Sequence, residues 1–362
     1  MHEKALEVLN KIVDSNFKAY IVGGYVRDYV MKRESIDIDI CTDAKPKDLL
    51  KIFDDAVLPS EKYGAVTLRY QNIRFEITTF RKELKYENRR PINIEYTDSL
   101  EDDLKRRDFT INSLCMDKDG NIIDLFNGKK DISRKLIVSL SDANTKFYDD
   151  PLRILRAIRF ATTLNFKLDK NVIEGIKNNS KYLKDLSYDR KKMELNKIFA
   201  SKNIKYGVKL LTSLNLDEYL EIPNIRKIKY TSDILGIWAQ LDVCDKYPFT
   251  KLEKNTISTI QEIVKNKTIG KYEIYKYGLY NTSIAAEILG INKKVIVKLE
   301  RHLTIHSKSE ISITTDEILN LINKKPGSWL SKLYEDLENK IILNKLKNEN
   351  SKIKEYILRK YI

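Results

Sequence analysis

The sequence predicts an α+β chain: an N-terminal part that mixes strands and helices up to about residue 140, then an all-helical remainder. Three observations predict it. Short β-rich runs alternate with helical stretches only in the N-terminal part. From about Asp150 onward strand signals nearly vanish, and long segments rich in Lys, Leu, Ile and Asn carry apolar residues at helical spacing. The 362 residues make two or three domains at about 150 residues each, long enough to bury a substantial core. With 42% hydrophobic and 33% charged residues, and only 12 Gly and 7 Pro, collagen-like, low-complexity and largely disordered chains are excluded.

Residues 4–15 have the spacing of a helix, and residues 19–22 form a short apolar strand that runs into Gly23-Gly24. A helical pattern then continues from Tyr25 to Met31. Residues 36–40 alternate strictly, so a strand there sets Asp37 and Asp39 on one face and Ile36, Ile38 and Ile40 on the other. Residues 46–53 read as a helix, 65–70 and 73–79 as strands, 81–91 as a polar, mobile loop, and 122–125 as a further strand. Asp150 before Pro151 is an N-cap followed by Pro at the first helical position, which opens a helix to residue 164. Helices at 189–199, 293–302 and 331–348 follow, with no convincing repeat and no long polar linker.

Lys and Arg number 66 against 52 Asp and Glu, a formal charge of +14 that favours a polyanionic partner such as nucleic acid or a membrane surface. Residues 251–362 hold 21 basic and 13 acidic side chains, so the excess concentrates near the C-terminus. No run approaches the roughly 18 to 20 apolar residues of a membrane span, and Met1-His2-Glu3-Lys4 opens no signal-peptide core, so a cytoplasmic protein is expected. Cys41, Cys115 and Cys244 form no C-x-x-C pair, which argues against a disulfide framework or a structural zinc site. His302 and His306 make one H-x-x-x-H without a third ligand, and metal binding is not expected there.

Four segments carry chemistry. The strand, glycine turn and helix start around Gly23-Gly24 let backbone N–H groups and Arg27 meet a phosphate, although an ordinary tight turn needing positive φ has the same pattern. Asp37 and Asp39 suit a hard cation, since Mg²⁺ joined to nucleotide phosphates needs only one or two protein carboxylates. A solvent-facing strand edge with two acids is the plainer reading, and the preceding turn argues against it. Lys105-Arg106-Arg107-Asp108 fits phosphates together with a ribose hydroxyl, or else a solvated charge run. On the helix after Pro151, Arg153, Arg156 and Arg159 form a basic stripe opposite Ile154, Ile158 and Ala161. Capping accounts for Asp150 but not for three arginines on one stripe.

Taken in order, Ile21-Val22-Gly23-Gly24-Tyr25-Val26-Arg27-Asp28, the Asp37-x-Asp39 pair, Arg106-Arg107-Asp108-Phe109-Thr110-Ile111-Asn112, and Asp149-Asp150-x-x-Arg153 with Ile154-Leu155-Arg156-Ala157-Ile158-Arg159-Phe160 resemble the successive motifs of one family. That family is the class II tRNA nucleotidyltransferases, the CCA-adding enzymes and their bacterial poly(A) polymerase relatives. Ile123-Asp124-Leu125-Phe126-Asn127-Gly128 resembles its head-to-neck segment, and Tyr188-Asp189-Arg190-x-x-x-Glu194-Leu195 its last motif. The resemblance covers roughly residues 18–200, and beyond that only a helical body and tail. Lys32 stands where the family usually has Gly, Asp149 where it has Glu, and Asp189 where Glu is commoner, which weakens any role given to the last motif.

The resemblance implies a small mixed-sheet nucleotidyltransferase head over residues 1–140, a helical neck with nucleotide-base recognition over 141–200, and a helical body and tail that bind tRNA over 201–362. It implies template-independent addition of C, C and A to the tRNA 3′ end from CTP and ATP, with release of pyrophosphate. Asp37 and Asp39 would be catalytic and hold two Mg²⁺. The nucleotide-binding set would be Gly23, Gly24, Arg27, Arg107, Asp108, Asn112, Asp150, Arg153, Arg156 and Arg159, with Gly24 and Arg27 on the triphosphate and Asp108 near the ribose. Polarity agrees with a base-reading role. C and A both offer an amino donor beside a ring-nitrogen acceptor, which an accepting Asp150 and a donating Arg153 complement, whereas U and G would leave polar groups unpaired. Family members that add only CC tend to lack the loop corresponding to residues 81–91, so full CCA addition is expected. An A-adding specialist, a poly(A) polymerase and a catalytically inactive RNA-binding protein on the same fold are the alternatives.

Overall fold

The computed structural model describes residues 2–35, 37–60, 64–87 and 90–361, and the chain divides into two compact units, Met1–Glu221 and Ile222–Ile362. In the first, strands β1 (Ala19–Val22), β2 (Ile38–Thr42), β3 (Ala56–Ser60), β4 (Ala65–Tyr70) and β5 (Ile73–Thr79) precede a hairpin of β6 (Arg81–Glu87) and β7 (Arg90–Tyr96). The short strands β8 (Cys115–Met116) and β9 (Ile122–Ile123) complete a seven-stranded sheet of order β3-β4-β5-β2-β1-β8-β9, while β6 and β7 pair only with each other. The large sheet is mixed, because β2 and β5 run parallel and its other neighbours antiparallel.

The pleat of β2 decides where the core lies. Ile38 and Ile40 are buried with Ile21, Phe75 and Ile77 beneath helices α1 (His2–Asp14), α2 (Gly24–Val30) and α3 (Pro46–Ile52), whose Leu9, Ile12, Val26 and Leu49 join the same cluster. Each such isoleucine contributes about 2 kcal/mol by leaving water. Asp39 and Cys41 alternate to the other face, where Cys41 packs with Val22, Phe80, Cys115 and Leu104 of α4 (Leu100–Lys105). The first unit continues through α5 (Gly128–Ser133), α6 (Ala143–Asp149), α7 (Leu152–Leu164), α8 (Lys170–Asn179), α9 (Tyr188–Phe199), α10 (Ile204–Ser213) and α11 (Leu216–Tyr219). Helices α7 and α9 pack side by side, with Ile154, Ile158, Ala161, Leu195 and Ile198 fully buried.

The second unit is helical throughout its described residues: α12 (Ile234–Leu241), α13 (Lys251–Asn266), α14 (Lys271–Leu289), α15 (Lys293–Arg301), α16 (Thr315–Ile322), α17 (Ser328–Ile342) and α18 (Asn350–Tyr361). Ile318, Leu333, Leu337, Ile341, Ile353 and Ile357 form its main core. No helix among the described residues is long and apolar enough to cross a membrane.

Several elements differ from the expectation. Strand β2 starts at Ile38, Asp37 lies just before it, and Ile36 is outside the described residues. The segment expected as a loop is the β6–β7 hairpin, whose antiparallel register runs from Arg81↔Tyr96 to Glu87↔Arg90; its charged residues conceal the strand alternation, and residues 88 and 89 are outside the described set. The strand expected at 122–125 stops at Ile123, because the Asp124 carboxylate accepts the amides of Gly128 and Lys129 at 2.8 and 2.9 Å and turns the chain into α5. The helix expected to reach residue 348 ends at Ile342, followed by Asn344 in the left-handed region at φ 56°.

Candidate active site

Strand β1 ends at Val22, directly opposite Asp39 on β2. Gly23 then takes φ 80° and ψ −132°. A Cβ there would lie 3.6 Å from both Arg107 Nη1 and Asp39 Oδ2, an ordinary contact distance, so the backbone angle and not the space demands glycine. At the far end of α2, Lys32 has φ 54°, the left-handed conformation that suits the family's usual glycine, held here by a side chain at a cost of about 1 kcal/mol.

The turn opens onto a cleft of about 530 Å³ lined by all of the sequence-predicted residues: Gly23, Gly24, Arg27, Asp37, Asp39, Arg107, Asp108, Asn112, Asp150, Arg153, Arg156 and Arg159. Asp28, Ser35, Arg106, Leu152 and Phe160 also face it. Residues more than 120 positions apart in sequence thus meet in one place, with six arginines and five aspartates on its walls.

These side chains are tied into a chain of hydrogen bonds. Arg27 donates through Nε and Nη2 to both oxygens of Asp28, at 3.1 and 2.9 Å, and through Nη1 to Asn112 Oδ1 at 2.7 Å. The Asn112 amide donates to Asp108 Oδ1 at 3.1 Å, and Arg156 Nε donates to Asp108 Oδ2 at 2.6 Å. Burial opposes ionisation of Asp108, but the Arg156 guanidinium and the Asn112 amide hold its carboxyl below the usual range. Behind the cleft-lining Arg106 and Arg107, the fully buried Asp103 accepts from Arg106 at 2.8 Å, from Arg107 at 3.2 Å and from the Arg81 amide at 3.3 Å.

Helix α9 supports the α7 stripe from behind. Arg190 pairs with Asp150, and the buried Glu194 pairs with Arg159 at 3.0 Å. Asp150 also accepts the Leu152 amide at 3.2 Å, so it does cap α7, and Arg153 Nη2 donates to the Arg106 carbonyl at 3.1 Å. Burial pulls Arg159 down to about 10, with Arg156 and Arg27 adding to that effect and Glu194 opposing it.

Asp37 and Asp39 line the cleft, and Glu76 stands beside Asp39 as its partner across the parallel β2–β5 pair. Burial, reinforced by Glu76 and Asp37 against the pull of Arg107, pushes the Asp39 carboxyl above its usual range. Paired carboxylates lining a phosphate-sized cleft fit a hard divalent cation. Among the described residues no three His, Cys, Asp or Glu side chains group as a metal site, so such an ion would need ligands from the nucleotide as well. Sequence reasoning missed Glu76 and Asp103, which only the strand register and the fold of α4 bring in; Arg190 and Glu194 stood in the last motif but had no role there.

Comparison with known proteins finds three matched segments. Residues 19–138 match the Poly A polymerase head domain, 165–227 the "Probable RNA and SrmB- binding site of polymerase A", and 239–357 the tRNA nucleotidyltransferase domain 2. The CCA-adding enzyme of Staphylococcus haemolyticus (strain JCSC1435) is 31% identical, covering 99% of this chain and 98% of its own. That of Listeria monocytogenes serotype 4b (strain F2365) is 33% identical, covering 98% and 97%. The crystal structure of the Bacillus stearothermophilus CCA-adding enzyme in complex with CTP shares the fold with a TM-score of 0.88 at 24% identity, over 99% of this chain and 96% of that one. With relatives of this identity matched along nearly their whole length, the chain belongs to the class II tRNA nucleotidyltransferases, the family of the CCA-adding enzymes and the bacterial poly(A) polymerases.

Proposed function

We propose that this chain is a CCA-adding tRNA nucleotidyltransferase, joining C, C and A to the tRNA 3′ end from CTP and ATP and releasing pyrophosphate. The observation that carries the reading is the single cleft that gathers the paired carboxylates, the glycine turn and the arginine stripe. Enzymes of this family generally use divalent metal ions, and in this reading Asp37 and Asp39 would hold two Mg²⁺. Once bound, they supply charge neutralisation at the phosphates and a lower pKa for the attacking 3′-hydroxyl.

The protein's own groups do the rest. Arg27 has three of its five N–H groups committed to Asp28 and Asn112, which orients the guanidinium and leaves two for the triphosphate beside Gly24. Arg107, anchored on Asp103, meets the nucleotide from the sheet side, and Asp108 stands near the ribose. Asp150 accepts the amino group of C or A while Arg153 donates to the adjacent ring nitrogen, and U or G would leave buried polar groups unpaired. In domain terms the head over residues 1–140 performs the chemistry, 141–200 reads the base, and 201–362 binds tRNA. These substrates set its place in the cytoplasm.

Incubating the protein with CTP, ATP, Mg²⁺ and tRNA transcripts that end before CCA, after C or after CC tests the reading. All three transcripts should finish at CCA. Extension of the CC-ending transcript alone would instead make it an A-adding specialist, and extension of none would sink the assignment.

A further inference from the structure

Phe160 faces the cleft from α7 with its ring nearly buried, and three guanidiniums lie over it. The Cζ atoms of Arg159, Arg27 and Arg156 are 4.2, 5.4 and 5.4 Å from the ring centroid. Each cation also has a polar anchor of its own: Arg159 on Glu194, Arg27 on Asp28 and Asn112, Arg156 on Asp108. The ring is itself fixed by Phe109, 5.9 Å away in an edge-to-face contact at 80°. Arg27 belongs to the glycine-turn helix α2 and the other two to α7, so the ring sits where arginines of the two helices converge.

Three like charges around one point repel one another. An aliphatic side chain of similar volume would fill the same space and do nothing about that repulsion. An aromatic face attracts each cation within about 6 Å, and more strongly where water is excluded.

We propose that Phe160 is a positioning residue, whose ring face holds Arg27, Arg156 and Arg159 around one point at the spacing that receives the triphosphate of the incoming nucleotide. This rests on the reading of the cleft as the nucleotide site. The role concerns phosphates and not the base, so it acts on CTP and ATP alike. It serves binding more than chemistry, because the ring reaches the reaction only through the guanidiniums.

Replacing Phe160 by a series of increasingly fluorinated phenylalanines tests this, since each fluorine weakens the negative ring face while the shape stays nearly constant. KM for CTP and for ATP should rise stepwise and by the same factor, about tenfold over the series, with kcat within about twofold. Phe160→Leu should fall with the most fluorinated member, and thermal unfolding confirms that each variant is folded. A KM that stays flat along the series, or a loss confined to kcat, overturns the proposal and returns Phe160 to packing. Failure of the unsubstituted protein to use either nucleotide overturns the underlying reading instead, a result separable from a flat series.

Discussion

Arg190 of α9 donates to both carboxylate oxygens of Asp150, at 3.1 and 3.3 Å, while Asp150 also accepts the Leu152 amide that opens α7. Helix capping and base reading are therefore compatible: the cap fixes the carboxylate on α7, and Arg190 aims it. Asp150→Asn keeps the cap, because Asn caps about as well as Asp, and loses a partly exposed ion pair worth about 1 kcal/mol or less. Its stability should thus stay near wild type. Incorporation of C and A should drop and that of U or G rise, as the new amide offers a donor toward a carbonyl. Steady-state kinetics with all four nucleotides check this, and unchanged preferences would leave Asp150 as a cap alone.

Asp39 supplies a prediction with a sign. Its carboxyl is raised by burial first, with Glu76 and Asp37 adding and Arg107 opposing. A group raised in the folded state contributes stability below its unfolded pKa that is lost as pH rises through the folded value. At neutral pH Asp39→Asn should therefore raise the Tm of the metal-free protein. Mg²⁺ should raise the Tm of the wild type and leave that of the variant nearly unmoved, while addition of both C and A falls by about a thousandfold. Equal stabilisation of both proteins by Mg²⁺ would remove Asp39 from the metal site.

Asp103 is the buried hub of the sheet-side arginines, accepting from both Arg106 and Arg107. Asp103→Leu removes the carboxylate that joins them and leaves Arg107 to lean on Asp39. The expected cost is about 3 kcal/mol of stability, read as a lower denaturation midpoint, together with a higher KM for both nucleotides. A variant as stable as the wild type, with unchanged KM, would show that Asp103 is dispensable.

How much of this was legible in the sequence follows from distance along the chain. Gly23, Asp37, Asp39 and the α7 arginines announce themselves because a turn, an alternation and a helical stripe are local patterns. Glu76 does not, since only the parallel register of β2 with β5 brings it beside Asp39. Arg190 and Glu194 reach Asp150 and Arg159 through the packing of α9 on α7, which no spacing rule encodes. Two-residue strands such as β8 are too short for a period of two to show, and in β6 charge outweighs the strand signal.

The β6–β7 hairpin is rooted beside the site and independent of the main sheet beyond it. The Arg81 amide bonds Asp103, the Thr97 amide bonds the Phe80 carbonyl, and Lys82 pairs with Asp102 at 3.0 Å. A two-stranded ribbon outside the main sheet can transmit a change of pocket shape between the C-fitting and A-fitting states. Shortening the segment 82–90 should then permit two C additions and block the final A, so that product accumulates at CC. Completion to CCA at the normal rate, resolved on sequencing gels, would contradict a switching role.

The last prediction concerns α15, where Lys293, Lys294, Lys298 and Arg301 have no acidic partner among the described residues. Elsewhere in the same unit Lys354 pairs with Glu317 and Lys360 with Asp336. At about 100° per residue, Lys294, Lys298 and Arg301 fall within roughly 60° of one another along about 10 Å of helix, while Ile296 on the opposite side is buried. That spacing suits consecutive phosphates of one RNA strand. Reversing all three charges (K294E, K298E and R301E together) should weaken tRNA binding at least about tenfold and lower the slope of log Kd against log salt by about one unit for each phosphate no longer neutralised. Preference between CTP and ATP should not change, because groups that hold phosphates position the RNA and do not choose the incoming base. Titrations of tRNA at several salt concentrations decide it: a reversed-charge protein with the wild-type slope would place the RNA-binding surface of this unit on another face.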